Sequence, residues 1–176
     1  MIRVVVTGSE CTGKTALARA LAANYGVPWV PEYVREFVER KRGRLEFTDV
    51  EAIARGQMAS EDALAATAPK LLVQDTDLLS SVLYSRHYYG DCPPWIEAAA
   101  AQRAGDLYLL AGIDVPWVPD GAQRDRPHER EAMHELFRRG LLERGLRFVE
   151  VSGSHERRLA SAVAVIEELR RNRASA

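Results

Sequence analysis

Close to the start of the chain, the stretch GSECTGKT at positions 8–15 sets two glycines, a lysine and a threonine at the spacing G-x-x-x-x-G-K-T. The spacing has mechanical content. Gly8 and Gly13 admit backbone angles that side chains forbid, so successive N–H groups can turn inward around phosphate oxygens. Lys14 brings a point charge to the outer phosphates, and the Thr15 hydroxyl suits Mg²⁺. Glu10, Cys11 and Thr12 complete the loop, and the helix that follows directs its positive end at the same anion. Lysine occurs elsewhere only at 41 and 70, all other basic residues being arginine, so the lysine inside the loop stands out. The expected ligand is a nucleoside triphosphate.

Other candidate groups gather where apolar runs end. After residues 27–30 comes PEYVRE, with Glu32, Tyr33 and Arg35. Glu32 has two readings: a charge on the helix dipole, or a base that takes the proton of an attacking hydroxyl beside the glycine loop. Arg35 would orient an acceptor or pair with Glu32 or Glu39. After residues 70–74 comes DTD. Asp75 is placed to complete a Mg²⁺ shell with Thr15, and helix capping is its other reading. Asp77 fits substrate binding and capping equally. After residues 107–111 comes GIDVPWVPDGAQRDR, with Asp114, Trp117, Asp120, Arg124 and Arg126. Arginines at 124, 126 and 130, between a proline-rich loop and a helix, suit a lid over residues 120–130 that neutralises transferring phosphate. Of these, Arg124 and Arg126 are the preferred catalytic candidates.

Positioning such groups takes a scaffold, and its outline is readable. Apolar runs at 2–6, 27–30, 70–74, 107–111 and 146–151 alternate with helical patterns at 14–24, 32–42, 49–66, 78–88, 95–103, 128–144 and 154–172. Continuous rather than alternating apolar strands imply that both sheet faces are covered, and strands separated by helices imply parallel crossovers. The expectation is a three-layer α/β domain over residues 1–176, with about five parallel strands, helices on both faces and a frayed tail at 173–176. In such sheets ligands collect beyond the carboxyl ends of the strands. A net charge of −1 offers no basic field for nucleic acid or an anionic membrane. No apolar run nears the roughly 20 residues of a membrane span, no signal-peptide pattern precedes the first strand, and Cys11 and Cys92 have no metal-ligand spacing. A cytoplasmic protein acting on small molecules is expected; oligomeric state is not legible.

Taken together, GSECTGKT, PEYVRE, Gln57, QDTD and DLYLLAGIDVPWVPDGAQR resemble the ribosylnicotinamide kinase domain of NadR-type proteins over residues 4–153. The resemblance implies a P-loop kinase fold of strand order 2-3-1-4-5 that passes the ATP γ-phosphate to the 5′-hydroxyl of nicotinamide riboside, giving nicotinamide mononucleotide. It implies that Gly8, Gly13, Lys14 and Thr15 hold the nucleotide, and that Glu32 stands where related nucleoside kinases keep the base. Asp75 and Asp77 match the acidic pair, and Trp117, Asp120 and Arg124 match the substrate and lid region. NadR proteins usually carry an adenylyltransferase domain ahead of this one, sometimes with a DNA-binding module. A chain opening on the kinase's first strand is expected to have neither activity. Cys11 and Thr12 replace the serines common in that loop.

A pyridinium acceptor also suits the aromatic and acidic residues at hand, Tyr33, Trp117, Asp114 and Asp120, by cation–π and charge attraction; Trp29 reads better as cover for a sheet edge. Backbone near Gly153 and Ser154 is where a purine base would lie, which leaves ATP and GTP both open. A kinase for another nucleoside or small metabolite, and a regulatory nucleotide-dependent ATPase, are the competing readings. A guanine-specific N-K-x-D motif is absent from the sequence.

Overall fold

The computed structural model describes residues 1–67, 70–117 and 127–175. Five strands form one parallel sheet: β1 (Ile2–Thr7), β2 (Trp29–Val30), β3 (Leu71–Asp75), β4 (Leu107–Ala111) and β5 (Phe148–Val151), in the order β2-β3-β1-β4-β5. Pairings such as Val4 with Val73 and with Leu107 put β1 at the centre. Among the described residues, seven α-helices connect and cover the sheet: α1 (Lys14–Tyr25), α2 (Tyr33–Lys41), α3 (Val50–Ala65), α4 (Leu78–Tyr89), α5 (Pro94–Gln102), α6 (Arg130–Glu143) and α7 (His155–Ala174). The expected fold class holds.

Strand alternation divides the core. Val4, Val6, Leu71, Val73, Leu107 and Leu109 pack against Leu17 and Leu21 of α1 and Ile166 and Leu169 of α7. On the other face Val5, Tyr108 and Leu110 meet Leu79 and Leu83 of α4 and Phe137 and Leu141 of α6. Each strand of this kind is apolar on both sides because both sides are covered. Among the described residues, no helix is long and apolar enough to cross a membrane.

Several boundaries move by a residue or two, each for a local reason. β3 extends through Asp75, whose backbone still pairs with β1. Glu32 lies outside α2 at the N-cap position, with φ −66° and ψ 104°. Ahead of α3, Phe47–Asp49 forms a 3₁₀ turn closed by reciprocal Glu46 and Asp49 bonds, a capping box. The tail departs from the expected fraying: α7 runs to Ala174, held where Arg173 reaches Asp106 at 2.5 Å and the Met1 carbonyl at 3.4 Å.

Candidate active site at the carboxyl ends of the strands

The glycine loop leaves β1 with Gly8 at φ 131° and enters α1 with Gly13 at φ 79°. A Cβ on Gly8 would stand 3.2 Å from the Ala111 carbonyl, so the loop also needs glycine to pass β4. Lys14 is 6% exposed, and its Nζ donates to the Ser9 carbonyl at 2.7 Å. Thr12 Oγ1 donates to the same oxygen at 2.9 Å. Gly13 offers α1 no side-chain cap, so the helix's first N–H groups remain to be satisfied by an anion. Two arginines brace this loop from below. Arg158 Nη1 donates to the Thr12 carbonyl at 2.7 Å, and Arg130 Nη2 to the Cys11 carbonyl at 3.0 Å.

Beside the loop, Thr15 Oγ1 donates to Asp75 Oδ2 at 2.5 Å. Burial, and then the neighbouring Glu32 charge, push the Asp75 carboxyl up to about 6, against the pull of Lys14, the Thr15 hydroxyl and Arg35. Its Oδ1 is buried and has no hydrogen-bond partner among the described residues. An unpartnered carboxylate oxygen next to a threonine hydroxyl, under repulsion from a second carboxylate, is an oxygen donor set that fits Mg²⁺. Among the described residues no three His, Cys, Asp or Glu side chains cluster as a metal cage, so phosphate and water would supply the other ligands. Glu32 is held from its far side by Arg35, whose Nε donates to Oε2 at 2.9 Å.

Thr76 follows Asp75 with φ 65°, a left-handed step rare outside glycine. That step lets Asp75 serve the glycine loop while Asp77 opens α4. Asp77 caps α4, with Leu79 N–H donating to Oδ1 at 3.1 Å, and takes the Tyr108 hydroxyl on Oδ2 at 2.6 Å. Burial pushes the Asp77 carboxyl up to about 6 despite these donors and holds the Tyr108 hydroxyl protonated far above its ordinary range.

Between α2, α3 and α4 lies a pocket with about 530 Å³ of empty space, part of it open solvent. Glu32, Glu46, Gln57, Thr76 and Asp77 give it polar walls; Leu45, Val50, Ile53, Tyr84 and Tyr89 give it apolar and aromatic ones. Among the described residues, no lysine or arginine lines it.

The expected residues divide accordingly. Gly8, Gly13, Lys14, Thr15, Glu32, Asp75 and Asp77 converge on one end of the sheet. Tyr33 and Arg35 do not line the pocket: the Tyr33 hydroxyl accepts from Arg40, and its ring lies flat against the Gly56 backbone. Asp114, expected on the substrate, instead pairs with Arg158 and accepts the Gly153 N–H at 2.5 Å. Its carboxylate thereby ties the β4 loop to the β5–α7 loop, because Arg158 also reaches the Gly112 and Gly153 carbonyls. Ser154 caps α7, accepting from the Arg157 N–H at 3.3 Å. Trp117 stands 5.9 Å from the Arg130 guanidinium and does not line the pocket. Asp120, Arg124 and Arg126, with most of the expected lid, lie outside the described residues. Sequence reasoning passed over Tyr84, Tyr89 and the clamp formed by Arg158. The pocket face of α4 did carry a signal, since Asp77, Ser80, Ser81, Tyr84 and Ser85 recur at helical spacing among Leu78, Leu79, Val82 and Leu83.

A five-stranded parallel sheet of this order, with a glycine loop between its central strand and α1, defines a P-loop kinase fold. The chain belongs to the AAA domain family AAA_28, whose model matches residues 3–158. Among curated proteins it is 27% identical over 172 residues to the trifunctional NAD biosynthesis/regulator protein NadR of Salmonella typhimurium and to that of Escherichia coli K12. Each match covers 94% of this chain and 42% of the relative, so the chain spans less than half the length of the curated relatives it matches. Among solved structures, NadR in complex with NR superposes with a TM-score of 0.84 at 25% identity, covering 95% of this chain and 51% of that one. NadR with NAD and AMP-PNP gives 0.77 at 25% identity, covering 95% and 49%. Thymidylate kinase from Ehrlichia chaffeensis, 14% identical with a TM-score of 0.67 and covering 94% and 98%, shares the fold.

Proposed function

We propose that the chain is a single-domain kinase that transfers the γ-phosphoryl group of ATP to the 5′-hydroxyl of nicotinamide riboside. The observation that carries the acceptor is the pocket beside the glycine loop: among the described residues it is lined by three carboxylates and two tyrosines, with no basic side chain. Such a lining attracts a pyridinium cation by charge and by the faces of its rings, and would repel an acceptor that already bears phosphate. Similarity to NadR, one of whose structures holds NR, supports the same choice.

In this reading the loop's N–H groups and Lys14 hold the triphosphate. Thr15 and Asp75 would hold Mg²⁺, which when bound would offset charge on the outer phosphates. Glu32 accepts the proton of the 5′-hydroxyl as its oxygen bonds to the γ-phosphorus; the bond to the β–γ bridging oxygen breaks, and ADP leaves. Arg35 keeps Glu32 oriented. Arg124 and Arg126, which lie outside the described residues, are assigned to neutralising the transferring group. Asp114 and Arg158 set the loop at Gly153 and Ser154 against which the purine rests.

The test is ADP release with Mg²⁺-ATP over a panel of nucleosides, with product masses measured. Nicotinamide riboside is expected to give its mononucleotide. Glu32→Gln is expected to lower kcat by about 10²–10⁴ with ATP affinity kept. Turnover retained in that variant would remove the base from Glu32, and preference for a neutral nucleoside would remove the cation argument.

A further inference from the structure

Under the acceptor pocket, α3 carries two polar side chains one turn apart, Gln57 at 3% and Glu61 at 1% exposure. Both are fully engaged in one file of hydrogen bonds. The Tyr33 N–H donates to Gln57 Oε1 at 3.0 Å, and Gln57 Nε2 donates to Glu61 Oε1 at 3.3 Å. Arg103, at the end of α5, donates to Glu61 Oε2 through Nε at 3.2 Å and Nη2 at 3.1 Å, and also reaches Asp62 at 2.6 Å.

The direction of this file is dictated by chemistry. A backbone N–H only donates and a carboxylate only accepts, so the amide between them has one workable orientation. Glu61 takes the NH₂ end, which leaves the carbonyl end of Gln57 for Tyr33.

That assignment matters because Tyr33 opens α2, where helix N–H groups lack intrahelical acceptors. A side chain at the N-cap position commonly supplies the acceptor. Here that position belongs to Glu32, and its carboxylate makes no cap hydrogen bond. It faces the pocket, paired to Arg35. Gln57 supplies an acceptor for the first of these groups, the Tyr33 N–H, from another helix, and so pins the start of α2 directly beside Glu32.

We propose that Glu61, clamped by Arg103, is a positioning residue for phosphoryl transfer: it fixes the sense of the Gln57 amide, which holds the start of α2 at Tyr33 and with it the adjacent Glu32. The inference rests on Glu32 being the base of the proposed reaction.

The experiment compares Glu61→Gln, Gln57→Glu and the double variant at pH 8, reading Tyr33 amide exchange with solvent alongside kcat and both KM values. In Glu61→Gln the Gln57 amide is free to turn over; the Tyr33 amide exchanges about tenfold faster and kcat falls about tenfold, the size of one lost hydrogen bond. KM for ATP stays within about twofold, since the nucleotide loop is untouched by the file. Gln57→Glu sets two carboxylates face to face and loses more. The double variant reverses the polarity: Glu at 57 accepts from Tyr33 and from the new amide, whose oxygen still accepts from Arg103. It is expected to restore both readouts. A purely structural role for Glu61 would lower melting temperature without this split or this rescue. Unchanged Tyr33 exchange in Glu61→Gln, or a double variant no better than Gln57→Glu, overturns the proposal. Should Gln57→Glu fail to fold, Glu61→Gln decides alone. If the unmodified protein phosphorylates no riboside, the functional reading fails, while Tyr33 exchange still reports on the cap.

Discussion

Gly56→Ala separates two opposing effects at one atom. In the middle of an accessible helix, replacing glycine by alanine stabilises by about 1 kcal/mol. At position 56 in α3, the new methyl carbon would lie 1.9 Å from Tyr33 Cε1 and 2.1 Å from Cζ, far inside contact distance. Either the ring leaves α3 or the start of α2 shifts with it. Forcing an extra carbon into a packed contact costs about 1–3 kcal/mol, so the net change runs from nothing to about 2 kcal/mol of destabilisation. For a chain of this size each kcal/mol moves Tm by about 2–4 °C. Thermal unfolding is therefore expected to show no gain, or a fall of up to about 8 °C, in place of the rise an unobstructed helix position would give. Because Tyr33 adjoins Glu32, displacement of the ring is also expected to lower kcat in the ADP-release assay by about tenfold or more. A variant that melts about 3 °C higher with unchanged kcat would refute the packing of Tyr33 on Gly56 and the inference that this contact sets the entry of α2.

Thr76→Gly removes a left-handed backbone strain of about 1–2 kcal/mol while adding some unfolded-chain entropy, so Tm is expected to rise by about 1–4 °C; a fall would show that the side chain, which lines the pocket, outweighs its backbone. Stability should also depend on Glu61. Its carboxyl is pushed from 4.5 up to about 7 by burial and then by the Asp77 charge, against the opposing Arg103 pair. The native state then binds the extra proton between those values, so this contribution is fully present below pH 4.5 and is lost as pH rises through 7. The loss amounts to about 3 kcal/mol. Denaturant unfolding from pH 4.5 to 8 is expected to show this decline in the unmodified protein and a flatter profile in Glu61→Gln; parallel profiles would count against a strained buried carboxylate.

What the sequence determined on its own were features with local causes. Five apolar runs between helical patterns imply a parallel sheet covered on both faces, because each run is apolar at odd and even positions alike. The phosphate loop is legible because its backbone angles demand glycine and its charge demands lysine at fixed spacing. The acidic strand ends were visible for the same reason: a strand stops where its apolar run stops. Tertiary structure decided which of these ends share a cavity. Glu32, Asp75 and Asp77 meet because β2, β3 and β1 lie side by side, an order that periodicity does not contain and that only the family resemblance supplied beforehand. It also decided that Asp114 spends its carboxylate on Arg158, 44 residues away, and that Gln57 caps a helix begun 24 residues earlier. The choice between capping, pairing and ligand binding depends on which donor arrives from elsewhere in the chain, and packing alone brings it there.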